Sequence, residues 1–146
     1  MVMKMFLNSL NIPASGMTAQ RLRMDIISQN IANQDTTVGV NGQPYRRKSV
    51  TIEEQTQETF QNVLGVTENS PGGVKVVSIN EDMSDLKLEY DPSSPNANAQ
   101  GYIQMPNVDT VSEMTDMMEA SKSYNADIQA FNALKGMAVT ALEIGK

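Results

Sequence analysis

The sequence predicts a mainly α fold, with long N- and C-terminal helices paired as a coiled-coil-like hairpin around a small irregular/β middle segment. Three observations predict it. Apolar residues recur at alternating spacings of three and four near both ends of the 146-residue chain, helix punctuation brackets those stretches, and turn residues crowd the part between. The implied units are residues 1–33 and 108–146, forming the helical core, and 34–107 as the middle segment.

In the first zone the spacing picks out Met3, Leu7, Leu10, Ala14, Met17, Arg21, Met24, Ser28 and Ile31, seven of the nine being apolar. Ile12, Ala19, Leu22 and Ile26 form a second stripe beside them. Pro13 lacks an N–H and crowds the carbonyl four residues back, so the helix either begins near it or bends there. Asn33, Gln34, Asp35 and Thr36 end the helix.

The last zone opens on Thr110-Val111-Ser112-Glu113, a capping-box pattern, with Asp109 before it suited to the helix dipole. Met114, Met117, Ser121, Tyr124, Ile128, Phe131, Lys135, Ala138 and Leu142 then repeat the three-four spacing. Leu134, Met137, Ala141 and Ile144 extend a second face, and Gly145 stands where a C-cap belongs. One apolar stripe per helix barely offsets the entropy of ordering it, so two stripes per helix imply more than one neighbour.

Between the helices, Asn41-Gly42 marks a turn and Tyr45 to Ile52 reads as a strand. Gly73 to Ile79 and Asp85 to Tyr90 read as two more, linked as a hairpin through Asn80–Ser84. Asp91 to Gly101, with two prolines, reads as loop. No internal repeat is visible.

Composition excludes most chemistry. The chain has no Cys, His or Trp, which removes thiolate nucleophiles, the usual proton shuttle and the commonest metal ligands. Asn80 to Asp85 has the acid density of a calcium loop, but Asp85 stands where glycine is required and Asp91 where Glu is. Asp116 and Glu119 read as a solvated helix face. The expectation is no enzyme, with no catalytic, cofactor or metal residues. No run of 18 apolar residues exists, so no membrane insertion is expected. Asn8, Ser9 and Asn11 interrupt the apolar start, against a cleaved signal peptide.

The net charge of −6 is uneven. Residues 1–48 carry six bases and two acids, and residues 49–146 carry five bases and fifteen acids, which suits pairing within one chain or between copies. Arg46-Arg47-Lys48 therefore reads as a cluster that docks on an acidic face, its own or a neighbour's, and no nucleic-acid partner is expected. Met114, Met117, Met118 and Met137 suit either a core or an adaptable partner surface.

Ala14-Ser15-Gly16-Met17-Thr18-Ala19-Gln20-Arg21-Leu22-Arg23-Met24-Asp25, followed by Asn30-Ile31-Ala32-Asn33-Gln34-Asp35-Thr36-Thr37, resembles the N-terminal signature of bacterial flagellar axial proteins. Their shared Ala-Asn-x-x-Thr motif is filled by Ala32, Asn33 and Thr36. Pro44 to Lys48, Gly101 to Asp109 and the ending Ala141 to Lys146 narrow the likeness to the flagellar basal-body rod family of the FlgC type. Pro13 stands where such proteins usually carry Ala or Ser. The resemblance implies a self-assembling subunit of the rod, the periplasmic drive shaft that transmits torque from motor to hook. It implies partners among copies of itself, other rod and basal-body proteins, and the flagellar type III export apparatus. Another axial protein, or a soluble coiled-coil adaptor or secretion chaperone, is the alternative.

The residues expected at subunit interfaces follow from the stripes. Leu10, Met17, Leu22, Ile26 and Ile31 would face Tyr124, Ile128, Phe131, Leu134 and Leu142, within the chain and across subunits. Ala14, Gly16 and Ala138, with Ala130 and Ala133, would let helices approach closely. Asn30 and Asn33 would close the first helix and steer the chain into the middle segment.

Overall fold

The computed structural model describes residues 2–39, 41–57 and 70–144. Its elements in chain order are helix α1 (Val2–Ala32), strands β1 (Lys48–Gln57), β2 (Ser70–Glu81), β3 (Lys87–Tyr90) and β4 (Tyr102–Met105), and helix α2 (Thr110–Ile144). The two terminal helices pack on one another, and the β1–β2 ribbon lies against α1.

Helix α1 runs continuously through Pro13, which is buried, so it neither starts there nor stops. Hydroxyls from the following turn bond back to the backbone: Ser15 Oγ donates to the Ile12 carbonyl at 2.7 Å and Thr18 Oγ1 to the Ala14 carbonyl at 3.0 Å. At its other end Asn33 Nδ2 donates to the Gln29 carbonyl at 2.8 Å, and the Thr36 hydroxyl donates to Asn33 Oδ1 at 3.3 Å. These bonds satisfy groups that a helix terminus leaves open. The Asn41-Gly42 turn is present, with Gly42 at φ 71° and its N–H donating to the Gly39 carbonyl at 3.0 Å.

Strands β1 and β2 pair antiparallel from Lys48 opposite Glu81 to Gln57 opposite Ser70, with register shifts after Thr51 and Glu54. Along β2 the alternation is visible: Val74, Val76 and Ser78 are half-buried while Lys75, Val77 and Ile79 are exposed. Gly73 carries φ 95°, and a Cβ there would collide with Ser15 Oγ of α1. That glycine lets the strand reach the helix, where the Val74 N–H donates to Ser15 Oγ at 3.0 Å.

The expected hairpin through Asn80–Ser84 is not formed. Strand β2 pairs with β1, and β3 pairs instead with β4, from Lys87 opposite Met105 to Tyr90 opposite Tyr102. The reason lies in the segment between them. Arg46 donates to the Asp82 and Ser84 carbonyls at 3.3 and 3.1 Å, and Asn107 Nδ2 donates to the Asp82 carbonyl at 3.0 Å and Ser84 Oγ at 2.8 Å. These contacts carry the chain across instead of letting it turn back. Strand β4 was hidden inside the Gly101–Asp109 stretch. Gly101, at φ 80° beside Tyr90, closes the β3–β4 loop, and the Tyr90 and Tyr102 rings meet edge-on at 5.2 Å.

The capping box of α2 is likewise corrected. Asp109 supplies the cap, its Oδ1 accepting the Val111 N–H at 3.1 Å, while the Thr110 hydroxyl donates to Gln34 Oε1. Glu113 turns away from the helix end into the interior, as described below. Gly145 and the side chains of Met3, Leu7 and Ile144 lie outside the described residues. Among the described residues the buried apolar core is Ala19, Ile26, Ile27, Ile103, Val108 and Ala120, beside the buried polar residues Asn30 and Glu113.

Candidate functional site

The polar interior is built where the end of α1, the start of β1 and the first turn of α2 converge. Asn30, fully buried, uses every hydrogen-bonding site of its amide. Its Nδ2 donates to the Lys48 carbonyl at 2.8 Å and to Glu113 Oε2 at 2.9 Å. Its Oδ1 accepts from the Tyr45 hydroxyl and from the Lys48 N–H, both at 2.9 Å. The other oxygen of Glu113 accepts from Arg47 Nε at 2.5 Å. Arg47 reaches on to Asp116 Oδ2 at 3.3 Å, and its backbone N–H donates to Asn107 Oδ1 at 2.8 Å. Lys48 Nζ lies 5.7 Å from the centre of the Tyr45 ring.

Electrostatics follow that geometry. Glu113 has 0% side-chain exposure, so its charge is tolerable only because Arg47 and Asn30 meet it. The Glu113 hydrogen bond holds the Arg47 guanidinium above its ordinary range. Burial, followed by the charges of Glu113 and Glu81, pushes the Tyr45 phenol above 10.0. Among the described residues the ion pairs are Arg23–Asp116, Arg47–Glu113, Arg47–Asp116 and Lys48–Glu81. Each joins a base from residues 1–48 to an acid from 49–146, so the uneven charge of the sequence is used inside the chain.

A second point fixes the helices. A Cβ built on Gly16 would lie 2.6 Å from Asp127 Oδ2, so α2 passes hard against α1 there. From Asn30 back to Gly16 is fourteen residues, and from Glu113 forward to Asp127 is fourteen as well. The helices are therefore antiparallel, held at two points about 21 Å apart.

The expected interface residues divide by burial. Ile26 and Asn30 are buried within the chain. Leu10, Ala14, Gly16, Met17, Leu22, Ile31, Asn33, Tyr124, Ile128, Phe131, Leu134 and Ala138 are half-buried. Leu142 is 67% exposed. The structure brings Gly16, Leu134 and Ala130 to one groove and Asn30 to Glu113, whereas Leu142 stands apart in solvent. Sequence reasoning missed Glu113, Tyr45 and Asn107 as partners in the interior. The available signal was the Arg46–Lys48 cluster together with Glu113 and Asp116, three residues apart on one helical face.

The outer surface of α2 is apolar at both ends. Val111, Met114 and Met118 share one face and are exposed, as are Met137, Val139 and Leu142 further along. Thr115, Met117, Ser121, Lys122 and Asn125 flank Met118 in a shallow groove. Among the described residues no three His, Cys, Asp or Glu side chains are grouped to hold a metal ion, and no helix is long and apolar enough to cross a membrane.

Comparison with known proteins agrees over nearly the whole length. Residues 10–39 match the family model described as "Flagella basal body rod protein", and residues 99–144 match "Flagellar basal body rod FlgEFG protein C-terminal". The chain is similar to the flagellar basal-body rod protein FlgC of Bacillus subtilis (strain 168), with 50% identity over 95% of this chain and 97% of that one. It is 40% identical to FlgC of Salmonella typhimurium (strain LT2), over 96% and 98% of the two chains. FlgC of Borreliella burgdorferi is also 40% identical, over 94% and 95%.

Proposed function

Since the chain belongs to the FlgC family of flagellar basal-body rod proteins and is a structural subunit of that rod, we propose that its terminal helices build the shaft. On this reading α1 and α2 continue their antiparallel pairing as a coiled-coil-like hairpin and pack their outer faces against other subunits, copies of this chain among them. Their two fixed points, two heptads apart, suit a 3.5-residue repeat. Residues 1–33 and 108–146 act as the assembling unit, and residues 34–107 decorate it and touch adjacent rod proteins. Half-buried Leu10, Met17, Tyr124, Ile128, Phe131 and Leu134, with exposed Leu142, serve the interfaces. Ile26 and Asn30 serve from inside by holding the hairpin in shape. Delivery by the flagellar export apparatus into the periplasm, and torque transmission from motor to hook, complete the reading.

One observation carries it. Val111, Met114 and Met118 form an apolar stripe along one face of α2 that stays exposed, with no other element among the described residues covering it.

Met118→Glu tests this. Met118 is 65% exposed, so the charge leaves the subunit's own packing intact. The expected result is an exported chain with wild-type far-ultraviolet circular dichroism that no longer enters isolated basal bodies. Normal incorporation would remove this face from the interface.

A further inference from the structure

Where α1, β2 and α2 meet there is an open groove of about 480 Å³, walled by Ile12, Pro13, Val74, Ala130 and Leu134. At its floor Asp127 presses on Gly16. Among the described residues Asp127 has no ion-pair or hydrogen-bond partner. Ser9 also lines the groove, and a half-buried carboxylate beside mostly apolar walls suits a cation carried on an apolar surface.

Further along α2 the chain presents such a surface. Lys135, Val139 and Leu142 follow one another at four and three residues, so they share a helical face, and all three are exposed. Lys135 likewise has no partner among the described residues. A chain cannot seat its own stripe in its own groove. Lys135 lies eight residues from Asp127, about 12 Å along the same straight helix and some 80° around it.

We propose that the groove of one copy receives the Lys135–Val139–Leu142 face of a second copy, with Lys135 on Asp127 and the two apolar side chains against Ile12, Val74 and Leu134. The contact joins two different patches, so it runs head to tail and continues from copy to copy instead of closing as a two-fold dimer. It rests on the terminal-helix reading given above and names one interface within it.

Introduced cysteines test the contact directly, because the natural chain has none. Ala130→Cys and Val139→Cys lie nine residues apart, about 13 Å along one helix, beyond the reach of a disulfide within a chain. Oxidation of basal bodies carrying both changes should yield a ladder of linked dimers and higher oligomers. Adding Lys135→Asp should reduce the ladder by at least about tenfold, and adding Asp127→Lys to that variant should restore it. The same charge exchange without cysteines provides an independent readout. Each single reversal should lower incorporation into basal bodies, and the double reversal should recover it. Absence of the ladder in basal bodies that contain the chain, or single reversals that change neither readout, would overturn the contact. If Met118→Glu nevertheless blocks incorporation, only this contact fails; if Met118→Glu also incorporates normally, the terminal-helix reading fails with it.

Discussion

Replacing Asn30 with Ala removes four hydrogen bonds at once and strands the groups that made them: the Tyr45 hydroxyl, both backbone groups of Lys48, and one oxygen of buried Glu113. Leaving buried partners unpaired costs more than the bonds themselves contribute, so Asn30→Ala should lower stability by about 3 kcal/mol in urea unfolding of the dilute chain. A loss below about 1 kcal/mol would show that water replaces the amide. Tyr45 gives this network a pH dependence. Its folded-state value is raised above 10.0 by burial and by Glu113 and Glu81, so the neutral phenol is favoured in the folded chain. The stabilisation is full below pH 10 and is lost as pH rises through the folded value. Wild type should therefore destabilise above pH 10, and Tyr45→Phe should flatten that limb while lowering stability at neutral pH by about 1 kcal/mol. An unchanged alkaline limb would assign the loss to other groups. Little of this was legible beforehand. A capping-box pattern at Thr110–Glu113 is a local signal, and it gave way because Arg47 and Asn30, distant in sequence, offer Glu113 stronger partners than a helix N-terminus does.

Among the elements, both helices were readable because their periodicity is local, and the Gly73–Ile79 run marked β2 because its β-branched residues are a local signal too. Strand pairing was not readable. Whether β2 turns back on β3 or pairs with β1 depends on Arg46 and Asn107 gripping Asp82 and Ser84, a decision made between residues up to 38 apart. Pro13 shows the same limit from the other side. The proline suggests a helix start or a bend there, yet it is buried and α1 already begins at Val2 and continues past it. Two glycines give opposite predictions within these elements. Gly73 has positive φ and no room for a Cβ against Ser15, so Gly73→Ala should cost about 2 kcal/mol and loosen β2 from α1. Gly136 lies in α2 with open space around it, so Gly136→Ala should raise helix stability by about 1 kcal/mol. Thermal unfolding followed at 222 nm compares the two. Similar shifts of one sign would mean that backbone conformation at Gly73 is not what docks the ribbon.

At the scale of the whole molecule, the described residues combine a small buried apolar core, a hydrogen-bonded Asn30–Glu113 interior and exposed apolar side chains on α2, the pattern expected of a subunit that packs among others. The two stripes per helix read in the sequence do not separate so cleanly: Ala19 and Ile26 of the second α1 stripe are buried, Leu10, Met17 and Ile31 of the first are half-buried, and exposed Val111, Met118 and Val139 belong to neither α2 stripe. The charge imbalance was read as pairing within or between copies; the ion pairs among the described residues use part of it within the chain, while exposed apolar area on α2 remains for contacts between subunits. Methionines make that claim measurable, because oxidation by peroxide follows sulfur exposure. Met114, Met118 and Met137 are 53%, 65% and 58% exposed in the single chain. Peroxide footprinting read by mass spectrometry, on the purified chain and on isolated basal bodies, compares the two states. The account predicts rapid oxidation of all three in the purified chain and strong protection in the basal body; equal oxidation in both would contradict it.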